Sequence, residues 1–210
     1  MTTTTGLSTF AAGTSPFRVK GLGWLAAREY YERVVPGGMA AVRRSIAASG
    51  DAALLRFVDT PFVAGGWYDA LPAMSVSRAA ARLADMPHAQ LLRENAAWMA
   101  DRDLRGVYRV LLGLASVEMV ALRLPRLSMQ YLDFGHAEAK VAGPRFVEAC
   151  RFGVPAPLVS WFTFGSQGFI PVALKLAGAR SVRVRHGKTR PDGFDHGTLL
   201  VQVPFEIEWD

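Results

Sequence analysis

Val201-Gln202-Val203-Pro204-Phe205-Glu206-Ile207-Glu208-Trp209 puts an apolar residue at every odd position and a polar residue or proline at every even one. A two-residue period of this kind marks a strand with one face buried and the other in water. Upstream, Val182 and Val184 alternate with Arg183 and Arg185. Residues 187–197 between the two runs are polar and hold the turn-forming Pro191-Asp192-Gly193. The two runs are expected to pair as an antiparallel hairpin closed by that long loop.

Further back, no charge interrupts the chain from Phe152 to Leu174. The run is long enough to cross a bilayer. However, Pro155, Pro157, Pro171, Gly153, Gly165, Gly168, Gln167, Ser160 and Ser166 would leave polar groups without partners in lipid. A buried helix over residues 155–177, covering one face of the sheet, is expected instead. Residues 126–133, with Leu127, Met129, Tyr131 and Asp133 on one alternating set, and residues 145–151 read as two more strands, separated by breaks at Gly135 and Gly143-Pro144.

Before residue 125 the period is helical. Residues 24–35 space apolar positions between Arg28, Glu29, Glu32 and Arg33, and Pro36-Gly37-Gly38 ends that helix. Met39, Val42 and Ile46 carry the next, which stops at Gly50, and Asp51 is placed to cap a third. Trp67-Tyr68-Asp69 leads into a fourth helix, a fifth begins near Pro87, and residues 104–124 continue the helical pattern with a break near 113–116. The class is therefore α+β: an N-terminal helical part followed by a strand-strand-helix-strand-strand antiparallel sheet unit. A leader over residues 1–16 is expected to be flexible, and residues 17–210 form a single domain, helical over 17–124 and sheet over 125–210.

The composition agrees with a folded domain. The 210 residues are 50% hydrophobic and 20% charged, which excludes a disordered acidic tail or a rod. The net charge of +6 comes almost wholly from arginine, since only four of the 24 basic residues are lysines. The lone Cys150 excludes an intrachain disulfide and a multi-cysteine zinc site, and with no signal-like N-terminus a cytoplasmic location is expected.

Motifs for catalysis are missing. Phe164-Gly165-Ser166-Gln167-Gly168 lacks the first glycine of a nucleophile elbow, and Ser166 falls inside a helix. The small residues of this motif are better suited to close helix–sheet packing. His186, Asp192, Asp195 and His196 match no zinc spacing, so no metal site is expected, and no phosphate-binding glycine loop is present. Arg180, Arg183, Arg185, Lys188 and Arg190 form a basic edge that could meet phosphates. Glu206 and Glu208 on the neighbouring strand favour a salt-bridged solvent face there.

Val19-Lys20-Gly21, Trp67-Tyr68-Asp69, Tyr131-Leu132-Asp133-Phe134-Gly135 and Gly153-Val154-Pro155 together, in this order, resemble the uncharacterised family of about 200 residues that is expanded into paralogues in myxobacteria. That family in turn resembles the group containing haem nitric-oxide/oxygen-binding domains and 4-vinyl-reductase-type ligand-sensing domains. A haem-binding member carries an axial histidine on a helix before the first strand and a Tyr-x-Ser-x-Arg signature on the second strand for the porphyrin carboxylates. This chain has no histidine between His88 and His136, and Val147, Ala149 and Arg151 stand at the signature positions. The resemblance thus implies the fold without haem, and no other cofactor.

The expected function is a non-enzymatic cytoplasmic sensor or adaptor module that receives a small apolar ligand in a cleft between helices and sheet. Trp67, Tyr68, Trp98, Tyr131, Trp161 and Phe164 are the candidate lining residues, because aromatic groups supply large contact areas. The alternatives are a protein-interaction or self-assembly module without a ligand pocket, as a homo-oligomer or with a protein partner, and weak nucleic-acid binding through the 180–190 hairpin. Nucleic acid ranks below the other partners, and no membrane span is expected.

Overall fold

The computed structural model describes residues 10–104 and 115–210. Arg18–Lys20 (β1), Gly21–Val34 (α1), Gly38–Ala48 (α2), Ala52–Val58 (α3), Trp67–Asp69 (β2), Pro72–Leu83 (α4), His88–Leu104 (α5) and Val117–Ser128 (α6) come first. His136–Gly143 (β3), Phe146–Pro155 (β4), Val159–Leu176 (α7), Val182–His186 (β5), Arg190–Asp195 (β6) and Thr198–Trp209 (β7) follow. The α+β class and its order of helices before sheet are as the sequence predicts.

The alternating C-terminal run is the strand that organises the sheet. β7 pairs antiparallel with β4 along one edge, and on its other edge with β5 over its C-terminal half and β6 over its N-terminal half. β3 pairs with β4 to complete five strands. Val147 of β4 and Ile207 and Trp209 of β7 pack in one cluster with Ala173 and Leu174 of α7 and with Val120, Ala121 and Leu124 of α6. The Asp51 carboxylate accepts from Leu54 N–H at 2.9 Å and so caps α3. The uncharged run over 152–174 divides between the end of β4, a 3-10 turn over Ala156–Leu158 and α7. No helix among the described residues is long and apolar enough to cross a membrane.

Three expectations need correction. Residues 126–133 are not a strand: α6 runs to Ser128 with Pro125 inside it. Buried Val120, Ala121 and Leu124 lie on one helical face, and that period overrides the short alternation downstream. The turn at 131–133 joins β1 instead, through a Val19–Leu132 bridge, a Lys20 N–H to Tyr131 O bond of 2.8 Å and an Asp133 N–H to Arg18 O bond of 3.2 Å. The first strand of the main sheet is therefore β3. The 187–197 loop contains a further strand, β6, which turns into β7 through His196 and Gly197 at φ of +46° and +74°, both positive as a tight two-residue hairpin requires. Its residues are exposed on both faces, so it carries no hydrophobic period. Trp67–Asp69 is a strand paired with β1 before it leads to α4. The first part of the 104–124 segment, residues 105–114, lies outside the described residues.

Residues 10–16, assigned from sequence to the leader, are packed in the structure. Asp69, at the end of β2, is 4% exposed. Its carboxylate accepts from Gly13 N–H at 2.9 Å, Ser15 N–H at 3.1 Å, Leu71 N–H at 2.9 Å and the Ser15 hydroxyl. This one side chain ties the incoming chain to β2 and to the start of α4. Asp69→Ala strands several buried donors at once, and at 1–3 kcal/mol per unsatisfied group it is expected to cost roughly 2–4 kcal/mol of stability in urea unfolding. An effect within about 0.5 kcal/mol, as for a surface site, would show the clamp to be unimportant.

Candidate functional site

A cavity of about 200 Å³ lies between the helices and the sheet. A single water needs roughly 10–15 Å³ by the same measure, so the space is on the scale of an organic ligand. Its walls are α1, α5 and α7, with contributions from α4 and α6, and its floor is the inner face of β3, β4 and β7.

Small side chains on otherwise bulky surfaces create the space. On the floor, the antiparallel register sets Ala137 beside Arg151 and Ala149 beside Phe205, and residues directly opposite one another share a face. The two alanines leave unfilled volume next to larger neighbours. On α5 the lining residues are Leu92, Asn95, Ala96 and Met99, and on α7 they are Trp161, Phe162, Gly165, Ser166, Phe169 and Ile170, each set a helical stripe recurring every three to four residues. A Cβ at Gly165 would meet only the Ala96 methyl, at 4.0 Å, whereas a Cβ at Gly168 would lie 2.0 Å from the Arg93 carbonyl oxygen. The two glycines of the 164–168 motif therefore differ in role: Gly168 lets α7 and α5 touch backbone to backbone, and Gly165 leaves space. The close approach is helix to helix, where the sequence suggested helix to sheet.

The polar groups of the wall are few. Arg151, on the inner face of β4, donates to Ser128 Oγ at 3.2 Å and to the Phe134 carbonyl. Burial pushes its pKa down to about 10. The carbonyl is presented by the turn ending at Gly135, where φ is +66° and a Cβ would sit 2.1 Å from the Phe152 carbonyl oxygen. This accounts for glycine at the end of the Tyr131–Gly135 motif. Among the described lining residues there is no histidine. His88 instead meets Ser77 Oγ at 2.8 Å, and His136 stacks on Phe152 with ring centres 4.7 Å apart. Of the other lining groups able to ligate iron, which also include Met99 and Tyr131, Tyr31 is held protonated by burial, and burial with the Asp192 and Glu138 carboxylates pushes the Cys150 thiol up. The lining therefore fits haem iron poorly: it offers no imidazole and favours neither thiolate nor phenolate at these two positions.

Two of the six sequence-predicted lining residues, Tyr131 and Trp161, reach the cavity; the other four do not. Trp67 is 37% exposed under the Lys20 ammonium, 4.0 Å from its ring centre. Tyr68 accepts from Val63 N–H at 2.9 Å and sets its ring on Phe62. Trp98 falls between turns of the α5 stripe and packs beside Tyr30, Arg33 and Arg102. Phe164 is likewise out of phase on α7 and meets His186 and Arg93. Arg151, Ala96, Ala137, Ala149 and Gly165 also line the cavity, and these residues carry no aromatic signal in the sequence, since a cavity is marked by missing bulk. On the basic edge, Arg183 pairs with Glu208 at 3.5 Å and Arg185 stands opposite Glu206. Arg180, Lys188 and Arg190 are exposed. Asp192 accepts from Gly153 N–H and Gln202 Nε2 at 2.7 and 2.9 Å, and no group of three metal-ligating side chains occurs among the described residues.

Searches by sequence find no matching family model and no matching curated protein. Solved structures do match. A Cs H-NOX mutant carrying 4-cyano-L-phenylalanine aligns over 91% of this chain and 96% of its own, with a TM-score of 0.64 and 11% identity. The fold is that of an H-NOX domain. A mutant of T. tengcongensis H-NOX covers 91% of this chain and 97% of its own at a TM-score of 0.62 and 11% identity. An oxygen-binding H-NOX domain related to soluble guanylate cyclases, solved as its oxygen complex, gives 90%, 92%, 0.57 and 12%. At such identities the likeness is one of H-NOX fold, and the chemistry has to be argued from this chain's own lining.

The glycine pair gives a direct check on the cavity. Gly165→Ala has room for its methyl and removes a mid-helix glycine, so a gain of about 0.5–1 kcal/mol in urea unfolding is expected. Gly168→Ala is expected to destabilise by a similar amount or more, since it drives α7 off α5. Equal effects at the two positions would contradict the packing described.

Proposed function

We propose that this protein is a non-enzymatic ligand-sensing or adaptor module that holds a small apolar ligand in the cavity between helices and sheet, without haem. The cavity carries this reading, being walled mainly by apolar residues and bounded by both halves of the fold. A ligand there would touch α1, α5, α7 and the sheet together, so its arrival or loss would change how the helices pack. The H-NOX fold supports a sensing role by analogy, and the lining residues support the absence of haem. A cytoplasmic setting accords with the single cysteine. The order of the four motifs supports a place in the myxobacterial family.

The second reading, a protein-interaction module, is favoured by one observation: Phe194 is 74% exposed and faces the partly exposed Leu199 across the β6–β7 hairpin. Nucleic-acid binding has less support, because the strand beside the basic edge offers glutamates to its arginines.

Thermal unfolding with neutral apolar probes, decanol and 2-naphthol, tests the ligand site. Both are expected to stabilise the wild-type protein, by about 2.7 kcal/mol at a hundredfold excess over Kd. Ala149→Leu, which fills the floor, is expected to remove the response. No stabilisation by either probe would count against the cavity as a ligand site. Haemin added to purified protein is expected to give no sharp stoichiometric Soret band; such a band would replace the haem-free reading.

A further inference from the structure

Among the described residues the main sheet ends on one side in β5 and β6, each paired only with β7, and on the other in β3, paired only with β4. An edge strand aims the N–H and C=O of every second residue away from its neighbour, and that row is a template for another strand. Two copies of one strand can pair antiparallel about a two-fold axis only if the axis falls at a residue, which then faces its own copy. An axis between residues would set outward groups against inward ones.

Two of the three edges are guarded against such pairing. In β5 an axis at Arg183, Val184 or Arg185 sets arginine opposite arginine, and like charges directly opposed are destabilising. β6 lacks a donor at Pro191 and has a break in register between Pro191 and Phe194. β3 has neither guard. It runs without proline and in unbroken register with β4 from His136 to Val141.

The side chains of β3 select one register. Glu138 and Lys140 stand exposed on its outer face. Lys140 meets Glu148 of β4 at 3.0 Å, and the Glu138 carboxylate has the His136 ring at 4.0 Å. An axis at Glu138 sets glutamate against glutamate, and one at Lys140 sets lysine against lysine. An axis at Ala139 sets Glu138 opposite Lys140 of the second copy, twice by symmetry, so that charges alternate from Glu148 to Lys140 to the second copy's Glu138. On the inner face the same register brings Val141, 46% exposed, opposite Ala137 of the second copy, which gives an exposed apolar side chain an apolar neighbour.

We propose that this chain forms a two-fold dimer in which β3 pairs antiparallel with β3 of a second copy about Ala139, joining the two five-stranded sheets edge to edge. The inference is independent of what the cavity holds. So short a contact places the dimer in the weak, reversible class.

Sedimentation velocity from about 10 µM to about 1 mM covers the range of weak association. The wild-type protein is expected to shift from monomer toward dimer as concentration rises. Glu138→Lys and Lys140→Glu each turn both symmetry-related contacts repulsive, and each is expected to weaken association roughly tenfold or more. An equal mixture of the two variants restores opposite charges at both contacts and is expected to form a heterodimer where neither variant associates alone. Both substitutions sit at exposed positions, and far-UV circular dichroism checks that the fold is kept. A strict monomer at the highest wild-type concentration overturns the proposal. A dimer that both variants leave intact also overturns it, by placing the contact away from β3. Loss in the single variants without recovery in the mixture rules out the axis at Ala139.

Discussion

Pairing along both edges of β7 is the constraint on which the rest of this structure depends. β7 hydrogen-bonds β4 on one side and β5 and β6 in succession on the other, so each other strand of the main sheet is at most one strand away from it. Its inward residues Val201, Val203, Phe205, Ile207 and Trp209 are all buried. A shift of one residue in its register would turn that whole row to solvent and bring the glutamates inward. Because the register is held in this way, the inner face of β4 is held too, with Val147, Ala149 and Arg151 pointing toward the helices.

The cavity follows from two helices laid over that floor. Gly168 allows the α7 backbone to rest on the α5 backbone, and this contact sets how α7 lies over the sheet. With the crossing fixed, Ala96, Gly165, Ala137 and Ala149 are too small to fill the volume between helix and strand. Protein interiors ordinarily close such gaps, so a space of this size bounded by rigid elements is a feature of the fold that repacking has not removed. Arg151 is buried for the same reason. It occupies an inward position on a strand held on both sides, and its hydrogen bonds to Ser128 and the Phe134 carbonyl draw the end of α6 and the following turn onto the floor.

Much of the architecture was legible from periodicity. The alternation over 201–209, the helical spacing before residue 125, the Asp51 cap and the helix after Pro155 all reflect elements that bury one face, and one-sided burial is what periodicity records. The errors fall where that condition fails. β6 is exposed on both faces and left no pattern. At 126–133 a short alternation overlapped the end of a helix, and four or five residues cannot separate the two periods. Among the proposed lining residues, Tyr131 and Trp161 reach the cavity, whereas Trp98 and Phe164 sit off the stripes of α5 and α7 that face it. That distinction depends on helix rotation about the axis, which is set by the neighbouring element.

The sequence by itself determined the class and the order of a helical part before a sheet part, because one-sided burial leaves its period in the local sequence. Only the tertiary structure decided that residues 10–16 are clamped to Asp69 and that a cavity lies between α5, α7 and the sheet. Empty volume is a property of residues far apart in the chain, and it exists only once the register of β7 and the crossing of α7 over α5 have brought those residues together.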